Sequence, residues 1–339
     1  MASLDIVAAG PLVSIQDIGR RGHARHGVAR SGPMDRMAHA AANVALGRTA
    51  GAAAIEVSAG GVTLDLVGGP VTVAVTGDDA ALEIDGDHAG SWCIRTIDDC
   101  RLRVVPGRRT SWAYLAFTAT PVADEWLGSF ATHTTSGLGG ATLRAGSALQ
   151  LCEVAARPDR DGEIAPPPGP LQSATDATPI RVVIGPQGQF VTRDSVTTLL
   201  TATYRTTAAS NRMGTRLDGP PLTLVDAMSI PSSPVVRGSI QVAGDGVPTV
   251  LHADHQTTGG YPRVATVVSA DLDRVARAVP GDPIRFAAVD PDDAIQLARS
   301  TDAANRRYLA DLDGPARHLA RRLATENLID GVGSLTDDG

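Results

Sequence analysis

The sequence contains no lysine; all 30 basic residues are arginine. That absence excludes a Schiff-base lysine, a phosphate-loop lysine and a biotin-carrying lysine. Any such group must come from another chain. Aromatics are scarce at 3% of residues, so Val, Ala, Leu and Ile must fill the cores. The three cysteines, Cys93, Cys100 and Cys152, are odd in number and lack metal-ligand spacing. They read as ordinary apolar residues of a reducing compartment. No apolar run is long enough to span a bilayer, and no basic stretch followed by an apolar core opens the chain. The expectation is a cytoplasmic protein that binds no membrane. A net charge of −7 argues against nucleic acid and anionic lipid as partners.

What is present is β-structure in two blocks. At 339 residues the chain suggests about two domains. From Ala54 to Leu151 short alternating runs recur, as in Val62-Leu64-Leu66 and Val71-Val73-Val75, separated by Gly and Asp-Gly turns. They predict an all-β barrel or sandwich. A proline-rich stretch at 157–179 reads as a linker. Ile180-Arg181-Val182-Val183-Ile184 then opens a second β block. The reading is an N-terminal domain over 1–156, a C-terminal domain over 180–298 and a helical tail over 299–339, broken at Gly314-Pro315. Helices are few. One is expected from Ser31 or Gly32, as cap, through Pro33 to Gly47. Another is expected from Ser269 to Val279, and Val196–Leu200 reads as a short helix or strand.

Four polar stretches carry the candidate chemistry. Asp254-His255-Gln256-Thr257-Thr258-Gly259-Gly260-Tyr261-Pro262 lies between two apolar runs and reads as a hairpin turn bearing amide, hydroxyl and phenol groups. Ser210-Asn211-Arg212-Met213-Gly214-Thr215-Arg216 suits carboxylate or phosphate recognition, and equally an ion pair that pins two strands. Residues 128–140, poor in apolar side chains, read as a loop and a candidate site wall. The glycines of Ser14–His23 mark turns, and the arginines beside Asp17 are placed to pair with it.

Taken together these stretches resemble one family over roughly residues 5–298: allophanate hydrolase subunit 2, also known as the C subunit of 5-oxoprolinase or KipA, related to the urea carboxylase part of urea amidolyase. The matching segments are Ser14–Asp17, Ser31–Asp35, Asn43, Glu56, Gly128-Ser129, Gly139-Gly140 and Gly185–Gln187 in the first part. Ser210–Gly214, Gly238–Gln241, Gln256–Pro262 and Pro280–Asp282 follow in the second. Arg277 departs from the family pattern, which has glutamine there.

The resemblance implies a mainly β fold of two cyclophilin-like β-barrel domains with a few short helices. It implies ATP-linked chemistry on a small amide or lactam, with ATP bound with or by a partner. That partner is allophanate hydrolase subunit 1, the KipI-like B subunit of 5-oxoprolinase. Biotin cannot be attached to this chain. Two other readings belong to the same resemblance: a KipA-like regulator of a kinase inhibitor, and a carboxyltransferase served by a separate biotin carrier. On the hydrolase reading Arg212 and Tyr261 are the catalytic candidates, Arg212 holding an anion and Tyr261 moving a proton. Substrate contacts are expected from Asn211, Arg216, Gln241, Gln256, Thr257, Gly259, Gly260, Gln16 and Asp35. No metal site is expected.

Overall fold

The computed structural model describes residues 1–167, 178–185, 187–225 and 230–313. Its sheets follow from the alternation of apolar residues. In Ala2–Ala9 the side chains of Ala2, Leu4 and Ile6 are buried, and in Val62–Val67 those of Val62, Leu64 and Leu66. These two strands pair antiparallel in a seven-stranded sheet. A six-stranded sheet runs in the order Gly162–Glu163, Cys93–Ile97, Val71–Thr76, Ala113–Phe117, Ala54–Val57 and Ser14–Gln16.

The middle strands of that second sheet are buried on both faces. Val71, Val73, Val75, Leu115 and Phe117 meet the seven-stranded sheet. Ala74, Tyr114 and Ala116 meet helix α1 (Arg36–Ala45), whose alanines at 38, 41, 42 and 45 allow close approach. The cap of α1 is Asp35, not Ser31 or Gly32: its side chain accepts from the Met37 and Ala38 amides. Ser31 and Gly32 stand in left-handed backbone (φ 56 and 90), and the amides of Met34 and Asp35 are drawn away to Glu56 and Tyr114.

The second unit is one eight-stranded sheet in the order Pro283–Ile284, Tyr204–Thr206, Gly214–Asp218, Pro248–Leu251, Ser239–Val242, Arg263–Val267, Ile180–Ile184 and Phe286–Ala288. Its two end strands are separated in sequence only by Arg285, so the sheet curls until its ends nearly meet. Helices α2 (Arg193–Thr201) and α3 (Leu272–Arg277) flank it. The expected mainly β architecture, with barrel-like units and few helices, is what the chain adopts.

Two boundaries and one strand pairing differ from expectation. Gly162–Glu163 pairs with Cys93–Ile97, and Ile164 is buried, so the start of the expected linker belongs to the first unit. Residues 168–177 lie outside the described residues. The tail begins as α4 (Pro291–Asp313), which returns to the first unit and packs Tyr308 and Leu312 in the cluster of α1. The expected break at Gly314-Pro315, with Leu319 and Leu323, lies outside the described residues. Finally, Pro248–Leu251 and Arg263–Val267 are not hairpin partners. Both flank Ser239–Val242, so residues 254–262 form a crossover loop over that central strand. No described helix is long and apolar enough to cross a membrane.

Candidate functional site

The crossover loop and the Asn-Arg segment both lie where the two β units meet. Arg212 is wholly buried there. Its Nε and Nη2 donate to the Asp254 carboxylate at 3.0 and 2.9 Å, and Nη2 also donates to the Gly32 carbonyl at 2.8 Å. Nη1 donates to Glu56, a lone carboxylate in the apolar strand Ala54–Val57. Glu56 Oε2 also accepts from the Tyr114 hydroxyl at 2.8 Å and the Met34 amide at 2.7 Å. Thus one arginine of the second unit holds a carboxylate of each unit. Burial opposes the Arg212 charge, but Asp254 and Glu56 outweigh it and raise the pKa. Burial likewise opposes ionisation of Asp254; Arg212 and two bonds from Thr134 hold its pKa below the usual range.

A second cross-unit pair stands beside this network. Arg277 donates to Asp35 at 2.5 and 3.2 Å, and both are buried. Arg277 therefore locks α3 to the cap of α1.

The first unit supplies a wall, residues 126–140. Asp17 fixes it by accepting from Ser129 Oγ (2.5 Å) and the Phe130 amide (2.7 Å). Arg20 does not pair with Asp17; it donates to the carbonyls of Trp126 and Ala131 and stacks 4.7 Å from the Trp126 ring. Gln16, in a fully buried strand rather than a surface turn, donates to the Thr132 carbonyl at 3.0 Å. Gly139 is required by its positive φ of 95 and by the Ala131 oxygen, 2.2 Å from where a Cβ would stand.

Between this wall and the crossover loop lies a cavity of about 500 Å3. Trp126, His133, Thr135, Ser136 and Leu138 line one side; Met213 and the run Asp254 to Thr258 line the other. The expected site wall and the expected polar loop thus face a common hollow. His133 Nδ1 lies 2.8 Å from Ser136 Oγ. His255 Nδ1 lies 2.6 Å from the Gln256 carbonyl, which fixes Nδ1 as the donor and leaves Nε2 as an acceptor. Burial lowers the His255 pKa, favouring that neutral form.

Of the residues expected at the site, Gln256 and Thr257 line the cavity. Gln241 stands behind them, its Oε1 accepting from Gln256 Nε2 at 2.9 Å and its own Nε2 without a partner. Gly259 leaves room for that Gln241 amide, 2.5 Å from where a Cβ would stand. Gly260 and Tyr261 are not in the cavity wall, and Tyr261 is 46% exposed. Asn211 accepts from the Met213 amide at 2.8 Å and shapes its own turn. Arg216 pairs with Asp245 on the surface at 2.6 Å. Asp35 and the Gln16 Nε2 are engaged in buried structural bonds, while Gln16 Oε1 has no partner among the described residues. Arg212 itself does not reach the cavity, because its donors are taken up below the floor; the strand-pinning alternative describes it. Sequence reasoning gave no individual role to Asp254, His133, His255 or Met213. Asp254 carries a signal, a carboxylate directly after an apolar strand. Among the described residues no cluster could hold a metal ion.

Residues 26–288 match the family described as "Carboxyltransferase domain, subdomain A and B". The chain is 31% identical over 273 residues to the C subunit of 5-oxoprolinase from Haemophilus influenzae, covering 80% of this chain and 87% of that protein. It is 29% identical over 290 residues to the Escherichia coli protein of the same name, with the same coverage of 80% and 87%. In fold it is similar to the urea carboxylase of Kluyveromyces lactis, with a TM-score of 0.77 at 24% identity over 91% of this chain and 29% of that one. Other solved relatives are longer too; the chain covers 56% of one of them. The chain belongs to the carboxyltransferase domain family.

Proposed function

We propose that this chain is the cleft-bearing subunit of a heteromeric, ATP-dependent amide-processing enzyme of the 5-oxoprolinase type. A partner akin to the B subunit of 5-oxoprolinase completes it, and ATP binds with or on that partner. The observation that carries the reading is the cavity between the two β units, edged by Gln256, Thr257, His133 and His255, in a chain that spans most of two 5-oxoprolinase C subunits.

On this reading the Gln256 amide and the hydroxyls of Thr257 and Thr258 bond the amide of a small lactam. His255, neutral with Nε2 unprotonated, takes a proton from the attacking group. The buried Arg212 network holds Asp254 ionised at the cavity floor and fixes the distance between the two walls. Tyr261 and Arg216 lie outside the cavity lining and on this reading have no part in the reacting centre. Ring opening of 5-oxoproline adds water across its amide bond and yields glutamate, with ATP cleavage supplying the driving force.

A second reading, carboxyl transfer to a small amide, is favoured by the family description. It requires biotin on another chain, because this one has no lysine. One experiment tests both. The chain is purified with its co-encoded subunits and given 5-oxoproline, urea or allophanate with ATP. ATP-dependent glutamate formation supports the first reading. Avidin-reactive protein in the complex, with bicarbonate-dependent use of urea, replaces it with the second.

A further inference from the structure

A second cavity, of about 600 Å3, opens at the same boundary and shares Ala29, His255 and Thr257 with the first. Its charge is one-sided. Arg21, Arg30, Arg36 and Arg237 line it, with His39 and His255, and no acidic side chain is in its wall. Arg36 is neutralised by Asp273 at 2.8 Å, and Asp273 is the carboxylate behind that wall. Among the described residues Arg21, Arg30 and Arg237 are in no ion pair.

Two of the wall residues are held at a cost that the fold does not explain. Arg237 donates to the carbonyls of Pro33 (3.0 Å) and Met34 (2.5 Å), while its Nε–H is buried without an acceptor. Burial, and then Arg36, pull its pKa down to about 10. Ser31 is 4% exposed, its hydroxyl has no partner, and its backbone sits at φ 56. A non-glycine residue in that region is strained, and a buried hydroxyl without a bond is destabilising. The residues that carry this orphan hydroxyl and orphan guanidinium N–H line one hollow with Arg21 and Arg30, although the two atoms themselves are closed off from it. Both atoms can donate.

We propose that this compartment binds a small oxyanion, a carboxylate or a phosphate group, through the guanidinium of Arg30 and, once their side chains shift to open these closed-off atoms, Ser31 Oγ and Arg237 Nε. Each of those groups gains an acceptor, and the arginines gain the counter-charge that the wall lacks. The inference does not depend on the amide reading. The anion is either a carboxylate carried by the ligand of the adjoining cavity or a phosphate released when a nucleotide is cleaved.

Calorimetric titration of the purified chain with sodium phosphate and with sodium acetate, at constant chloride, tests it. The expected result is saturable binding of at least one anion. Arg30→Gln and Ser31→Gly should each weaken it about tenfold or more, the loss of one bond to a charged group. Arg30 is exposed, so its substitution leaves the fold intact; Ser31→Gly removes the hydroxyl and relieves the backbone. Phosphate alone identifies the nucleotide-derived source, acetate alone the ligand carboxylate, and binding of both still places an oxyanion here. No binding of either anion, or binding unchanged by Arg30→Gln, overturns the proposal.

Discussion

Replacing Arg212 by methionine separates a structural arginine from a catalytic one. The guanidinium holds Asp254 and Glu56 in a site where all three side chains are fully buried. Methionine fills a similar volume but leaves two carboxylates without their counter-charge. Breaking a buried pair in this way costs about 3–5 kcal/mol. That is a large share of a typical stability of about 5–15 kcal/mol. With a urea slope of about 1–3 kcal/mol per molar, the unfolding midpoint should fall by roughly 1–5 M. The deficit should also depend on pH. Asp254 has a lowered pKa in the folded wild type, so its contribution is present above the unfolded value of about 3.9 and is lost as pH falls below it. In Arg212→Met the orphaned carboxylates are relieved by protonation, so the gap from wild type should be widest near neutrality and close towards pH 3. Urea unfolding followed by circular dichroism at several pH values measures both effects. An Arg212→Met protein with a wild-type midpoint but no turnover would return Arg212 to the substrate and refute the reasoning.

Other outcomes follow from the same contacts. Arg277→Gln leaves Asp35 buried without a full charge partner and should cost about 3 kcal/mol in urea unfolding, even though Asp35 still caps α1. A wild-type midpoint would show that the α3–α1 lock is inert. Gly139→Ala places a Cβ against the Ala131 carbonyl at positive φ, so hydrogen exchange over residues 129–140 should accelerate while the second unit is unchanged; unaltered exchange would show that the wall does not need this glycine. Gln256→Leu and Thr257→Val should raise KM about tenfold with little change in the unfolding midpoint, and an unchanged KM would remove them from the site. Burial lowers the pKa of His39 to about 4 and of His252 to about 3. Both are neutral when folded and bind protons more readily when unfolded. Stability should therefore decline as pH falls from about 6.5 towards 4, and a flat profile of midpoints over that range would contradict their burial.

The β architecture is readable in the sequence because its cause is local: alternation in Val62–Val67 and Val71–Val75 leaves few other ways to bury those side chains. The polar wall at 128–140 is readable because a run so poor in apolar residues cannot be core. The roles of individual charges are not. Arg212, Asp35 and Gln16 look like ligand groups in sequence, but each is bonded to a partner far along the chain, and sequence spacing says nothing of such pairs. The same holds for the crossover of residues 254–262. Two apolar runs joined by a Gly-Gly loop predict a hairpin, and only the insertion of Ser239–Val242 between them shows otherwise. Ser31 reads as a cap because Ser before Gly-Pro favours one; the bonds from Met34 and Asp35 to Glu56 and Tyr114 delay the helix.

The central claim is that the ligand sits between the 126–140 wall and the crossover loop, above the Arg212 network. A crystal structure of the assembled complex with 5-oxoproline tests it most directly. The account predicts the lactam amide within hydrogen-bond distance of Gln256 or Thr257, with His133 and His255 beside it and Arg212 still bonded to Glu56 and Asp254. A lactam bound elsewhere in the complex, with this hollow filled only by solvent, would contradict it.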